Sequence, residues 1–169
     1  SVRRAQDLDD DSSWALELHV RLLMRMGRSG DALAAACARV QAAGASAEPA
    51  ARADATAALC EALAGAGQLG AALEAARDAL TADPGSCWLY SSQGYLLVAS
   101  GDYRGALGAA ERALQLAGDS TGAAVLRCTA LTLLGRAAKA ERAAERIQPA
   151  GCWDVRPARA RARAAAGRH

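Results

Sequence analysis

Two histidines, His19 and His169, and five cysteines, Cys37, Cys60, Cys87, Cys128 and Cys152, are the residues of this chain best suited to metal binding or nucleophilic chemistry. A zinc site needs Cys or His at short paired spacings, and a nucleophilic thiol needs a base within hydrogen-bond reach. The chain has no CxxC pair, and no Cys or carboxylate stands at a ligand spacing from His19. An odd number of cysteines without pairing fits reduced, mostly buried thiols better than a disulfide framework. Cys152, in the loop-like "PAGCWD", is the thiol expected to be most reactive.

No Ser, His and Asp set, paired-carboxylate site or phosphate loop stands out. The stretch "GAGQLG" at 65–70 has the glycines of a dinucleotide loop but no strand before it, so those glycines read as turn chemistry. The expectation is a protein that is not an enzyme, with no cofactor and no metal.

The elements that position these residues must be helices. Alanine, leucine and arginine dominate, and only four prolines interrupt them. The net charge of +2 is unevenly spread. Residues 1–12 form an acidic arm, with Arg3 and Arg4 against Asp7, Asp9, Asp10 and Asp11. Residues 155–169 form a basic tail, and the body between is close to neutral and shows no basic stripe. No apolar run is long enough to span a bilayer, and the start lacks a signal-peptide core. A cytoplasmic location is expected, or an organelle interior if a targeting segment was removed.

Glycine recurs at 34-residue intervals at Gly67, Gly101 and Gly135, each followed five positions later by an alanine, Ala72, Ala106 and Ala140. A small residue stands seven positions before each glycine, at Cys60, Gly94 and Cys128. A helical hairpin needs a left-handed residue after its first helix, and small side chains where its helices cross. Neither helix hides its apolar stripe alone, so such units stack. The units are 13–46, 53–86, 87–120 and 121–154, with "AEPAAR" at 47–52 lengthening one junction. Helix pairs are expected near 13–26 and 30–43, 53–66 and 70–82, 87–100 and 104–117, and 121–134 and 138–148, with a last helix at 155–166. Ser12 or Ser13 and Ser86 are suitable N-caps.

The pattern resembles the tetratricopeptide repeat (TPR), whose period is also 34. In unit 87–120 the match rests on Tyr90, Gly94, Leu97, "GDY" at 101–103, Ala106, Ala113 and Leu114. In unit 53–86 it rests on Leu59, Leu63, Gly67, Ala72, Ala79 and "DP" at 83–84. The resemblance covers about residues 13–154. It implies an all-α, right-handed superhelical solenoid of about four helix-turn-helix repeats, closed by a C-terminal capping helix at 155–169.

The resemblance also implies a concave groove lined by the first helix of each unit. The positions it assigns include Trp14, Glu17, Arg21, Met24 and Arg25, then Ala57 and Glu61, then Trp88, Ser91, Tyr95 and Val98, then Val125, Thr129, Thr132 and Leu133. Of these, Arg21, Arg25, Glu61, Trp88, Ser91, Tyr95, Val98, Val125, Thr129 and Thr132 are the candidate partner-binding residues. The groove is charged in its first half and apolar with aromatics in its second, which suits the apolar face of a partner helix. The alternative is that the C-terminal helix or the loops fill it.

The family members that clamp a chaperone's C-terminal carboxylate use basic and amide side chains at positions that here carry Ala57, Glu61, Ser92, Gly122 and Leu126. That mode is therefore not expected.

In the tail, Arg156, Arg159 and Arg163 share a helix face as a possible basic contact, although a solvated cap is the plainer reading. The expected function is a protein–protein interaction scaffold or adaptor binding a peptide, a helix or a complex subunit. The alternatives are a regulatory or nucleic-acid-associated module using the arginine tail, and an accessory structural subunit of an organellar or ciliary assembly. Nucleic acid is not the expected partner, nor is membrane insertion.

Overall fold

The structure is a computed structural model that describes residues 19–20, 22–44, 48–147 and 156–167. Among these residues every regular element is an α-helix. The chain divides into two compact units at Pro84–Gly85.

In the first unit, residues 19–20 and 22–25 are helical and precede α1 (Ser29–Ala43), α2 (Pro49–Gly65) and α3 (Leu69–Ala82). α2 packs on both α1 and α3. Val20, Leu23, Ala32, Ala36 and Ala62 form one buried cluster, with Met24 and Leu59 against it. α3 buries Ala72, Ala76 and Leu80, which recur every four residues along one face.

The sequence spacing places the start of α2 at 53, but the helix begins at Pro49. Proline at a helix N-terminus has its φ already set and loses no hydrogen bond. The "PAAR" part of the supposed junction, 49–52, is thus the first turn of that helix.

The second unit holds α4 (Cys87–Ser100), α5 (Tyr103–Leu116), α6 (Thr121–Leu133), α7 (Ala137–Glu145) and α8 (Arg156–Ala165). Each packs on its neighbour in sequence, and α6 also contacts α4 and α8. Cys128, Leu131, Ala140, Ala143, Ala144, Ile147 and Ala162 form its main buried cluster. α7 ends at Glu145, earlier than the 148 expected, and the buried Ile147 follows as an anchor outside the helix.

Local chemistry explains the repeat. Gly27, Gly67, Gly101 and Gly135 all adopt positive φ, between 70° and 86°. At three of them the same closure recurs: the glycine N–H donates to the carbonyl three residues back, and the next N–H donates five residues back, as in Gly67 to Ala64 and Gln68 to Leu63. Ser86 and Ser120, 34 positions apart, accept from the N–H groups of Leu89 and Ala123 and start α4 and α6. Asp102 accepts from Gly105 at 2.9 Å and starts α5.

The helix crossings are equally regular. The Cys60 thiol donates to the Ala72 carbonyl at 3.4 Å, and Cys128 to the Ala140 carbonyl at 3.6 Å. In the unit between them the crossing residue is Gly94, where a Cβ would overlap the Leu126 side chain and touch Ala109. Ala72, Ala106 and Ala140 are all fully buried. These positions must be small because the helix backbones approach each other there.

Candidate functional site

The expected groove residues fall on both units, and the structure treats them differently. In the first unit Arg25 is exposed and Glu61 half-buried, while Ala57 is buried. Met24 lies against Gly65, where an added Cβ would overlap its Sδ–Cε end. Arg21, Trp14 and Glu17 lie outside the described residues, as do the Ser12/Ser13 cap, the acidic arm and Cys152.

In the second unit Ser91 does not line an open surface. It is 6 % exposed, and its hydroxyl donates to the Cys87 carbonyl one turn back, at 2.9 Å. Its short side chain therefore bonds within α4 itself. Trp88, Tyr95, Val98, Val125, Thr129 and Thr132 are half-buried.

Tyr95 spans from α4 to α6, its hydroxyl donating to the Gly122 carbonyl at 3.2 Å. Burial pushes this phenol up to about 12. Val125 packs against the buried cluster around Cys128. Thr129 and Thr132 donate their hydroxyls to the carbonyls of Val125 and Cys128, both at 2.9 Å, so they present methyl groups outward.

Val98, Thr129 and Thr132 are brought together around a mostly apolar cavity of about 250 Å³, completed by Leu133 and Arg161. Leu133 is 45 % exposed, one of the few large apolar side chains left in water. Arg161 comes from α8, so the terminal helix supplies one wall of this hollow without closing it. α8 is anchored by Ala162, fully buried against the α7 cluster.

Arg163 of the same helix lies at another hollow. Arg163 lines a hollow of about 190 Å³ with Glu141 and Glu145, so carboxylates rather than an open basic face surround it. The side chains of Arg156 and Arg159 lie outside the described residues.

The expectation that the body has no basic stripe is corrected. Arg136, Lys139, Arg142 and Arg146 share one face along α7 and its caps, and with Arg127 they line a cavity of about 350 Å³. Summing charge over the body conceals this, because Glu141 and Glu145 interleave with the cations in sequence but line the neighbouring hollow.

Cys60 and Cys128 are crossing residues, and burial raises both thiols, Cys60 to about 11. Among the described residues no group of three or more His, Cys, Asp or Glu side chains is placed to hold a metal ion. His19 is exposed. No helix of the described residues is long and apolar enough to cross a membrane.

No family model matches the sequence, and no curated protein does. Solved structures do match. A thermophilic TPR protein of Thermus thermophilus is 19 % identical, with a TM-score of 0.75 over 92 % of this chain and 84 % of that one. The second TPR domain of human RPAP3, solved with the HSP70 peptide SGPTIEEVD, is 19 % identical, with a TM-score of 0.59 over 69 % of this chain and 98 % of that one. An O-GlcNAc transferase mutant from Thermobaculum terrenum is 25 % identical, with a TM-score of 0.60, and the match covers 80 % of this chain and 25 % of that one. The fold is that of the tetratricopeptide repeat.

Proposed function

We propose that this chain of TPR fold is a non-enzymatic protein-interaction module that docks an apolar segment of a partner protein in the groove of its second unit. The observation that carries this reading is the hollow between Val98, Thr129, Thr132 and Leu133, with Leu133 left 45 % exposed. An apolar floor with inward-bonded threonine hydroxyls offers few directional polar contacts, so it favours the ridge of an amphipathic helix over an extended backbone. Arg161 at the rim supplies one cation for a carboxylate or a helix C-terminus on the partner.

The human TPR domain with the HSP70 peptide supports peptide docking as a use of this fold. The residues here support a different ligand chemistry, because Ala57, Glu61, Ser92, Gly122 and Leu126 provide no cation for a terminal carboxylate. The tail reading draws little support from Arg163, which lies beside Glu141 and Glu145.

The test is affinity capture from native extract with the unaltered chain beside Leu133→Asp, read by mass spectrometry. A protein retained by the first and lost by the second, with the melting temperature unchanged, supports groove docking. A set of captured proteins identical for both baits contradicts it.

A further inference from the structure

We propose that the second unit carries an anion site, separate from the groove, that takes a compact small molecule bearing two or more phosphate groups. The site is the cavity of about 350 Å³ between α5, α6 and α7, into which Arg127, Arg136, Lys139, Arg142 and Arg146 converge. Among the described residues, Glu111 is the only carboxylate on its wall.

Three observations carry the assignment. The first is charge: five cations face one hollow against one carboxylate, and among the described residues none of the five is in a salt bridge. Surface cations normally scatter or pair, because like charges at adjacent helical positions repel.

The second is Arg127. Its Nε is buried with no hydrogen-bond partner among the described residues. A buried donor left unmade is costly and uncommon, and an oxyanion in the cavity would satisfy it. A guanidinium also presents its donors in a fork that matches two phosphate oxygens.

The third is shape. Arg136, Lys139 and Arg142 follow one another every three residues, so neighbours lie about 5–6 Å apart along the helix. They border a hollow of a size that small ligands occupy, open to water on one side, with Leu131 and Ala143 on its wall. Cations gathered around one hollow, instead of spread along a helix row, favour a compact polyanion over RNA or an acidic peptide.

The test is calorimetric titration of the full chain with pyrophosphate and tripolyphosphate, at low and high salt. Saturable one-to-one binding that weakens with salt is expected. Lys139→Gln/Arg142→Gln should weaken it about tenfold or more, as loss of charge-assisted hydrogen bonds does. Arg127→Met should weaken binding similarly while leaving the ligand-free melting temperature unchanged or higher, since it removes a buried donor without a partner. The exposed pair Arg77→Gln/Arg104→Gln should change nothing. Equal binding by the Lys139/Arg142 variant would overturn the proposal, as would failure to saturate. Tighter binding of a short oligoribonucleotide or of oligoglutamate than of tripolyphosphate would overturn it too.

Discussion

The Tyr95 hydroxyl donates to the Gly122 carbonyl at 3.2 Å, joining α4 to the first turn of α6 across 27 residues of sequence. Tyr95 is thus a strut between two helices that border the groove. Tyr95→Phe keeps the ring and should cost about 0.5–1.5 kcal/mol of unfolding free energy, the net worth of one such bond. Tyr95→Ala also loses the packing and should cost about 3–5 kcal/mol. Urea unfolding of the two variants separates the parts. If Tyr95→Ala weakens partner binding while its stability matches that of Tyr95→Phe, the ring is a docking anchor rather than a strut.

Alkaline stability follows from the same phenol. Burial raises Tyr95 to about 12, above its ordinary value of 10, so the folded state favours the protonated form. That contribution is complete below pH 10 and is lost as pH rises through 12. Cys60 behaves alike from 9 to about 11, owing first to burial and then to nearby Glu61. Stability measured by denaturant should fall steadily from about pH 9 upward, and Tyr95→Phe should flatten the upper part of that fall. A profile unchanged by Tyr95→Phe would show that the phenol is more hydrated than this.

Thiol reactivity should sort by the crossing positions. Cys60 and Cys128 are buried and bonded to carbonyls, so they should resist alkylation at neutral pH until the chain unfolds. Cys37 and Cys87, half-buried, should label before them. Mass-spectrometric labelling time courses check this, and rapid labelling of Cys128 would show that α6 and α7 open readily.

Two glycines should fail for different reasons. Gly94→Ala drives a methyl into Leu126 and should cost about 1–3 kcal/mol through overpacking. Pairing it with Leu126→Val should recover part of the loss, a coupling that a double-mutant cycle measures. Gly101→Ala has open space around its Cβ, but its φ of 86° should still cost about 1–2 kcal/mol. No second-site change near Leu126 should rescue it.

Much of the fold was legible because the repeat is enforced by steric rules that act on residue type. Gly67, Gly101 and Gly135 mark left-handed turns, and Cys60, Gly94 and Cys128 mark crossings. The start of α2 was not, because an insertion breaks the period there and Pro49 reads equally well as a linker residue or a helix opener. For the groove, the family resemblance implied which helix positions to consider but not how deeply each would be buried. Ser91 and Leu133 sit on equivalent faces, yet one is buried and the other open to water. The α7 cations escaped notice because their cavity is completed by Arg127 from α6 and by residues of α5, which no single-helix pattern reveals.

A partner seated in the hollow beside Leu133 should be captured there by site-specific photocrosslinking. A benzophenone amino acid would be placed at position 133 and, as a control, at the exposed Arg112 of α5. The chain would then be irradiated in native extract. A discrete crosslinked protein is expected from position 133 and none from position 112. Equal crosslinking from both positions, or adducts from position 112 alone, would contradict it.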